Sequence, residues 1–214
     1  MITLGPLDHA EAVRYLGGAG VAMNTDMEQL LATCEEEVLR TAEPKYLYKV
    51  IDLPSEDFLE GRDIREHLAG CSRAVLLAAT LGTEVDRLIR VAQVEDMARA
   101  VVLDALASVA IEQVCEAFDR MLLAEFPDWH QTFRYSPGYG DYPIELQKRY
   151  LQALDAPKKI GLTTNDRFLL IPTKSVTAVT GLSRQPLPER ARGCVSCSFR
   201  EHCTLRTRGD HCGI

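Results

Sequence analysis

Apolar residues recur along this chain in distinct rhythms, and each rhythm predicts a different element. Met27, Leu30, Leu31, Cys34 and Val38 fall at helical spacing. Thr25-Asp26-Met27-Glu28 reads as a capping box opening that helix, and Pro44 closes it. Lys45 to Leu53 is rich in Tyr, Val and Ile and predicts a strand. Ala74 to Ala79 is a short, continuous apolar run between Cys71-Ser72 and Leu81-Gly82, as expected of a strand buried on both faces. Thr83-Glu84-Val85-Asp86 marks another helix start.

From Val94 to about Phe126 runs the longest helical pattern, free of Pro and Gly until Pro127 ends it. Its middle carries Ala98, Ala100, Ala105, Ala107, Ser108 and Ala110. Side chains this small let neighbouring backbone come close, so the helix is expected at the centre of the core. A short extended piece around Phe133 precedes an obvious turn, Ser136-Pro137-Gly138-Tyr139-Gly140-Asp141-Tyr142-Pro143. Asp141 is placed to cap a helix over 143–154, because Pro fits a first turn. Lys159 to Thr163 and Arg167 to Ile171 read as a hairpin around Thr164-Asn165-Asp166, and Ser175 to Thr180 as a further strand. Helices and strands mix without βαβ alternation. That favours an α+β domain, with an antiparallel or mixed sheet and a long central helix. The domain is drawn over 1–183, and a small Arg- and Cys-rich tail over 184–214 begins with a Pro/Arg-rich linker.

Composition narrows this picture. With 214 residues, 46% hydrophobic and 26% charged, the chain can bury a core of ordinary soluble character. No apolar run is long enough to span a bilayer, and nothing near Met1 marks export, so a cytoplasmic protein without a membrane partner is expected. A net charge of −7 argues against a nucleic-acid partner, whose binder should be basic. The charge is uneven, since from Arg184 onward six Arg face three acidic residues. Cys34, Cys71 and Cys115 sit among apolar neighbours as small hydrophobes, whereas Cys194, Cys197, Cys203 and Cys212 crowd the end.

The most informative chemistry lies at Arg134-Tyr135-Ser136-Pro137-Gly138-Tyr139-Gly140-Asp141. It sets a guanidinium beside a tight Pro-Gly turn and a Tyr hydroxyl. Arg offers a bidentate fork for a carboxylate, and a Gly turn admits a ligand close to main chain. The set suits the carboxylate end of an amino-acid-like ligand, or else a structural turn with a surface Arg.

The pattern Arg-x-x-Pro-Gly-Tyr resembles the S-adenosylmethionine signature of the activation domain of cobalamin-dependent methionine synthase. The likeness continues through Glu11 to Gly17, Ala78-Ala79-Thr80-Leu81-Gly82 and the Ala-rich helix, then Pro157 to Thr163 and Lys174 to Ala178. It covers most of 8–183 and is similar to the short, free-standing bacterial forms. It implies reductive activation of a partner corrinoid (cobalamin) methyltransferase, such as methionine synthase, with S-adenosylmethionine as methyl donor. By this resemblance Arg134 binds the ligand's carboxylate, and Gly138 and Tyr139 line its methionine portion, with Pro137 a further ligand-binding residue of the motif. Tyr139 also approaches the corrinoid, and Glu112 takes the ammonium group. A further acidic residue belongs near the chain start, for which Asp52 is a candidate. The sequence holds no cobalamin-carrying motif, so the corrinoid is expected on another protein, with an electron donor protein as second partner. Two other readings stay open: an S-adenosylmethionine-binding scaffold for a corrinoid protein, and an iron–sulfur electron-transfer activator of one.

The last motif is Cys194-x2-Cys197-x5-Cys203-x8-Cys212. Four thiols so close together suit a 4Fe–4S cluster or tetrahedral zinc, and the irregular spacing favours the cluster. His202 and His211 adjoin these positions as substitutes, and free thiols are the plain alternative.

Overall fold

The apolar run at 74–79 is buried throughout and sits at the centre of the molecule. A computed structural model of the chain describes residues 2–17, 24–188, 200–203 and 207. The elements follow in the order α1 (His9–Tyr15), α2 (Thr25–Thr41), β1 (Lys45–Asp52), α3 (Arg62–His67), β2 (Arg73–Thr80) and α4 (Thr83–Glu95). Then come α5 (Met97–Glu125), β3 (His130–Gln131), α6 (Leu146–Leu154), α7 (Ala156–Ile160), β4 (Thr163–Thr164), β5 (Leu170–Ile171) and β6 (Ser175–Ser183). The main sheet has the order β1-β2-β6-β3 and is antiparallel throughout.

Alternate side chains of β2 point to opposite faces. Val75, Leu77 and Ala79 join a core with α1, α2, α4 and α5, to which Leu31, Val38, Ile89 and Leu106 contribute. Ala74, Leu76 and Ala78 join a second core with α3 and α6, built on Ile64, Tyr150, Leu151 and Leu154. The sheet is thus covered on both faces, each buried Leu or Val contributing about 1.5–3 kcal/mol. On α5, Ala100, Ala105, Ala107 and Ala110 are buried, and their size lets α2 and α4 pack closely. No helix among the described residues is long and apolar enough to cross a membrane.

Several boundaries differ from expectation, each for a local reason. Asn24, extended at φ −91°, caps α2 by accepting from the Met27 N–H at 2.9 Å, so Thr25 is already helical. The long run from Val94 is two helices. Asp96 turns extended at φ −155°, and its carboxylate accepts from the Ala98 and Arg99 amides at 3.0 and 3.2 Å to start α5. Lys159 and Ile160, expected to open a strand, instead close helix α7, which is held by Pro157 in the first turn and by Gly161 at φ +70° after the last. The hairpin beyond them shrinks to two short strands, β4 and β5.

Asp141 does not cap the helix that follows it, which begins only at Leu146. Its carboxylate reaches α3 and accepts from the Arg62 and Asp63 amides at 2.7 and 2.9 Å. That helix has Gly61 at its N-cap and no capping side chain of its own.

Candidate functional site

Val109, Glu112, Gln113, Glu116, Asp119 and Leu123 recur at helical spacing, so α5 turns one partly charged face outward. Two other segments stand opposite this face and enclose a cavity of about 700 Å³. The volume lies within the range of small-molecule sites.

The first segment is the chain start. Gln113 ties it down by accepting from the Gly5 amide at 2.8 Å and donating to the Pro6 carbonyl at 3.1 Å. Glu35 on α2 holds it from the other side, accepting from the Leu7 amide at 2.6 Å and pairing with His9 at 2.7 Å. This strap sets Asp8, Glu11 and Tyr15 on the cavity wall. Asp8 caps α1 through the Glu11 amide, and Glu11 grips Arg14 through both carboxylate oxygens at 2.8 and 2.6 Å.

The second segment runs along the free side of β6. The Thr132 amide donates to the Gly181 carbonyl at 3.0 Å, and Tyr135 exchanges two backbone bonds of 2.9 Å with Val179. These bonds aim Arg134 towards α5. Its guanidinium is 18% exposed, pairs with Glu112 at 2.8 Å and also pairs with Asp119. Burial works against its charge, but the neighbouring Cys115, Asp119 and Glu112 raise its pKa, and the net shift is upward. Arg134 therefore presents a fixed cation on the wall. Cys115 lies beneath it, its thiol pushed up to about 12 by burial, and takes no ionised part near neutrality.

After Arg134 the chain makes the Pro-Gly turn. The Gly138 amide donates to the Tyr142 carbonyl at 2.8 Å and the Tyr139 amide to Ser136 at 3.2 Å, so both amides serve the turn. Tyr139 and Ser136 line the cavity, with the Tyr139 ring edge-on to Tyr135. Pro137 is buried and Gly138 exposed, and neither lines it. A side chain at Gly140 would collide with Asp63, whose Oδ2 lies 2.0 Å from the place a Cβ would take.

Of the residues singled out in the sequence, Arg134, Glu112 and Tyr139 thus meet around one cavity, and Pro137 and Gly138 shape the turn behind it. Asp52 is exposed at the end of β1, pairs with Arg73 at 3.2 Å and does not line the cavity. The acidic residues that do come from the chain start are Asp8 and Glu11. Asp119 and Glu116 were missed, although Glu112, Glu116 and Asp119 already stand at i, i+4 and i+7 on one helix face. The Nε2 of Gln131, also on the wall, is buried with no partner among the described residues. In sum, among the described residues, the wall holds five carboxylates against the one guanidinium of Arg134, which suits a ligand carrying both an anionic and a cationic end.

The cysteine motif is not part of this cavity. Cys194, Cys197 and Cys212 lie outside the described residues, while Cys203 lies within them and is half-buried. Among the described residues no group of metal-ligating side chains assembles.

No protein-family model matches the chain, and no curated protein matches it. Among solved structures it is similar to a crystal structure of the MetH reactivation domain bound to AdoHcy, with a TM-score of 0.63 at 15% identity. The match covers 86% of this chain and 76% of that one. The chain therefore has the α+β fold of a MetH reactivation domain.

Proposed function

We propose that the cavity binds S-adenosylmethionine and that the chain presents it to the corrinoid of another protein, reactivating a cobalamin-dependent methyltransferase such as a methionine synthase. The observation that carries this reading is Arg134, a half-buried guanidinium held between Glu112 and Asp119 on the wall of a ligand-sized cavity. The fold supports it, because the similar MetH reactivation domain is bound to AdoHcy. The donor set also fits the ligand. Arg134 takes the carboxylate, and Glu112 and Asp119 take the ammonium group that would otherwise stand unpaired beside it. Tyr139 and Leu123 supply the apolar surface of the same wall.

When bound, S-adenosylmethionine supplies an electrophilic methyl group. What the protein contributes is position: both ends of the amino-acid portion are fixed by side chains on rigid elements, so the rest of the ligand is aimed and not merely retained. The corrinoid and a low-potential electron come from partner proteins. In this reading Cys194, Cys197, Cys203 and Cys212 hold a metal centre, assigned first as a 4Fe–4S cluster and second as zinc.

Titration calorimetry of S-adenosylmethionine into wild type and Arg134→Ala tests the site. Losing a charge-assisted bidentate partner costs about 1.5–3 kcal/mol, or roughly one to two decades in affinity. Equal affinity in the two proteins refutes the placement of the ligand. A folded wild type that binds no ligand refutes the function.

A further inference from the structure

We infer that this cavity is built to hold the sulfonium form of its ligand and to let go of the thioether left after methyl transfer. The inference rests on the S-adenosylmethionine reading and adds the discrimination between donor and spent product.

The charges on the wall carry it. Glu112 and Asp119 share the single positive charge of Arg134, which leaves that triad net negative. Glu11 is matched by Arg14. Asp8 points its carboxylate at the first turn of α1, and Glu116 lies 4.0 Å from Arg120, with both side chains mostly exposed, and also faces Arg134. Among the described residues the five carboxylates of the lining are met by Arg14, Arg120 and Arg134, which leaves an excess of negative charge, more than an ammonium group alone requires.

The ligand's charge changes during the reaction. With carboxylate, ammonium and sulfonium it carries net +1. When the methyl carbon bonds to the electron pair of a reduced, nucleophilic cobalt, the pair of the broken S–C bond stays on sulfur. The product is then a neutral thioether zwitterion, with no proton taken up or released at sulfur. An unmatched negative charge about 10 Å from the sulfur would favour the charged form by roughly twofold in a water-like medium and about fifteenfold at an effective dielectric of 20. Between these limits the excess of about two charges on the wall gives a preference of about tenfold. The wall thus grips the donor and loses its hold as the methyl group leaves, which clears the cavity for the next donor without any movement of the fold.

The test compares affinities of S-adenosylmethionine, S-adenosylhomocysteine and sinefungin, in which a carbon replaces the sulfur and a protonated amine replaces the methyl group. Calorimetry is run on wild type and on the double variant Asp8→Asn, Glu116→Gln. Both changes keep size, and Asn retains the cap on α1. Wild type is expected to favour S-adenosylmethionine and sinefungin over S-adenosylhomocysteine by about tenfold, with the ratio shrinking as added salt screens the wall. In the double variant the ratio is expected to drop about threefold or more, while thioether affinity stays within about twofold. Equal binding of the charged and neutral ligands by wild type overturns the inference, as does an unchanged ratio in the double variant, and both outcomes leave the site itself standing. Failure of all three ligands to bind folded wild type removes the site and the inference with it.

Discussion

Replacing Asp141 by Ala tests whether the turn carrying Tyr139 is anchored from α3. The Asp141 carboxylate accepts from two consecutive amides, Arg62 at 2.7 Å and Asp63 at 2.9 Å, at the start of a helix whose own N-cap is Gly61. Truncating a capping side chain costs about 1–2 kcal/mol, and removing a negative charge from a helix N-terminus adds about 0.3–1 kcal/mol. The expected loss is therefore about 1.5–2.5 kcal/mol, which for a chain of this size lowers Tm by roughly 3–10 °C. Asp141→Asn keeps an acceptor and should lose about half as much. Urea and thermal unfolding of the three proteins measure this, with ligand titration alongside, because slack in the turn should also weaken binding at the proposed site beside Tyr139. Stability of Asp141→Ala within about 0.3 kcal/mol of wild type would show that the cross-cap contributes nothing.

Gly140→Ala should cost about 2 kcal/mol or more by equilibrium unfolding, because φ is +51° and Asp63 already occupies the Cβ position; Gly138→Ala, at φ +98° with Ile144 no nearer than 3.7 Å, should cost about 1 kcal/mol. Burial holds the thiols of Cys115 and Cys34 protonated up to about 12 and about 11, against an ordinary 9.0. The unfolded chain therefore binds fewer protons than the folded one above that ordinary value, and stability should fall as pH rises from 9.0 towards 12. Urea midpoints across that range check the slope, and a flat profile contradicts it. Anaerobic purification with metal and sulfide analysis should find iron with labile sulfide on the cysteine tail. Stoichiometric zinc without iron makes the tail a structural clip, and four freely titrating thiols with neither metal remove the assignment.

Long, strongly periodic elements were legible in the sequence. β1, β2 and α2 came out within a residue or two because their apolar positions leave one period open. The break at Asp96 was readable too, since Asp before a run of helix formers is a capping signal, but the continuous apolar pattern around Val94 hid it. α7 shows Pro near the start and Gly161 just past the end, yet Lys159 to Thr163 taken alone imitates a strand. Where the cross-cap of Asp141 lands was not legible, because α3 lies some eighty residues upstream. The site divides the same way. Arg134, Tyr139 and Glu112 follow from motif and helix, and Glu116 and Asp119 from helical spacing. Asp8 and Glu11 reach the wall only through bonds made by Gln113 and Glu35, and no local pattern announces those.

The position of β2 has a consequence for how the chain comes to be folded. Its partner on one side, β1, precedes it closely, but its partner on the other side, β6, arrives roughly a hundred residues later. Until then the most apolar strand of the protein is an open edge, with unpaired amides and carbonyls and a sequence that suits self-association. Pairings so distant in sequence are made slowly. The β1–β2 ribbon is therefore where misassembly should start during synthesis or refolding. Helices α4 and α5, made immediately after β2 and packed over one of its faces, are the parts of the chain placed to shield it while the last strand is still being made.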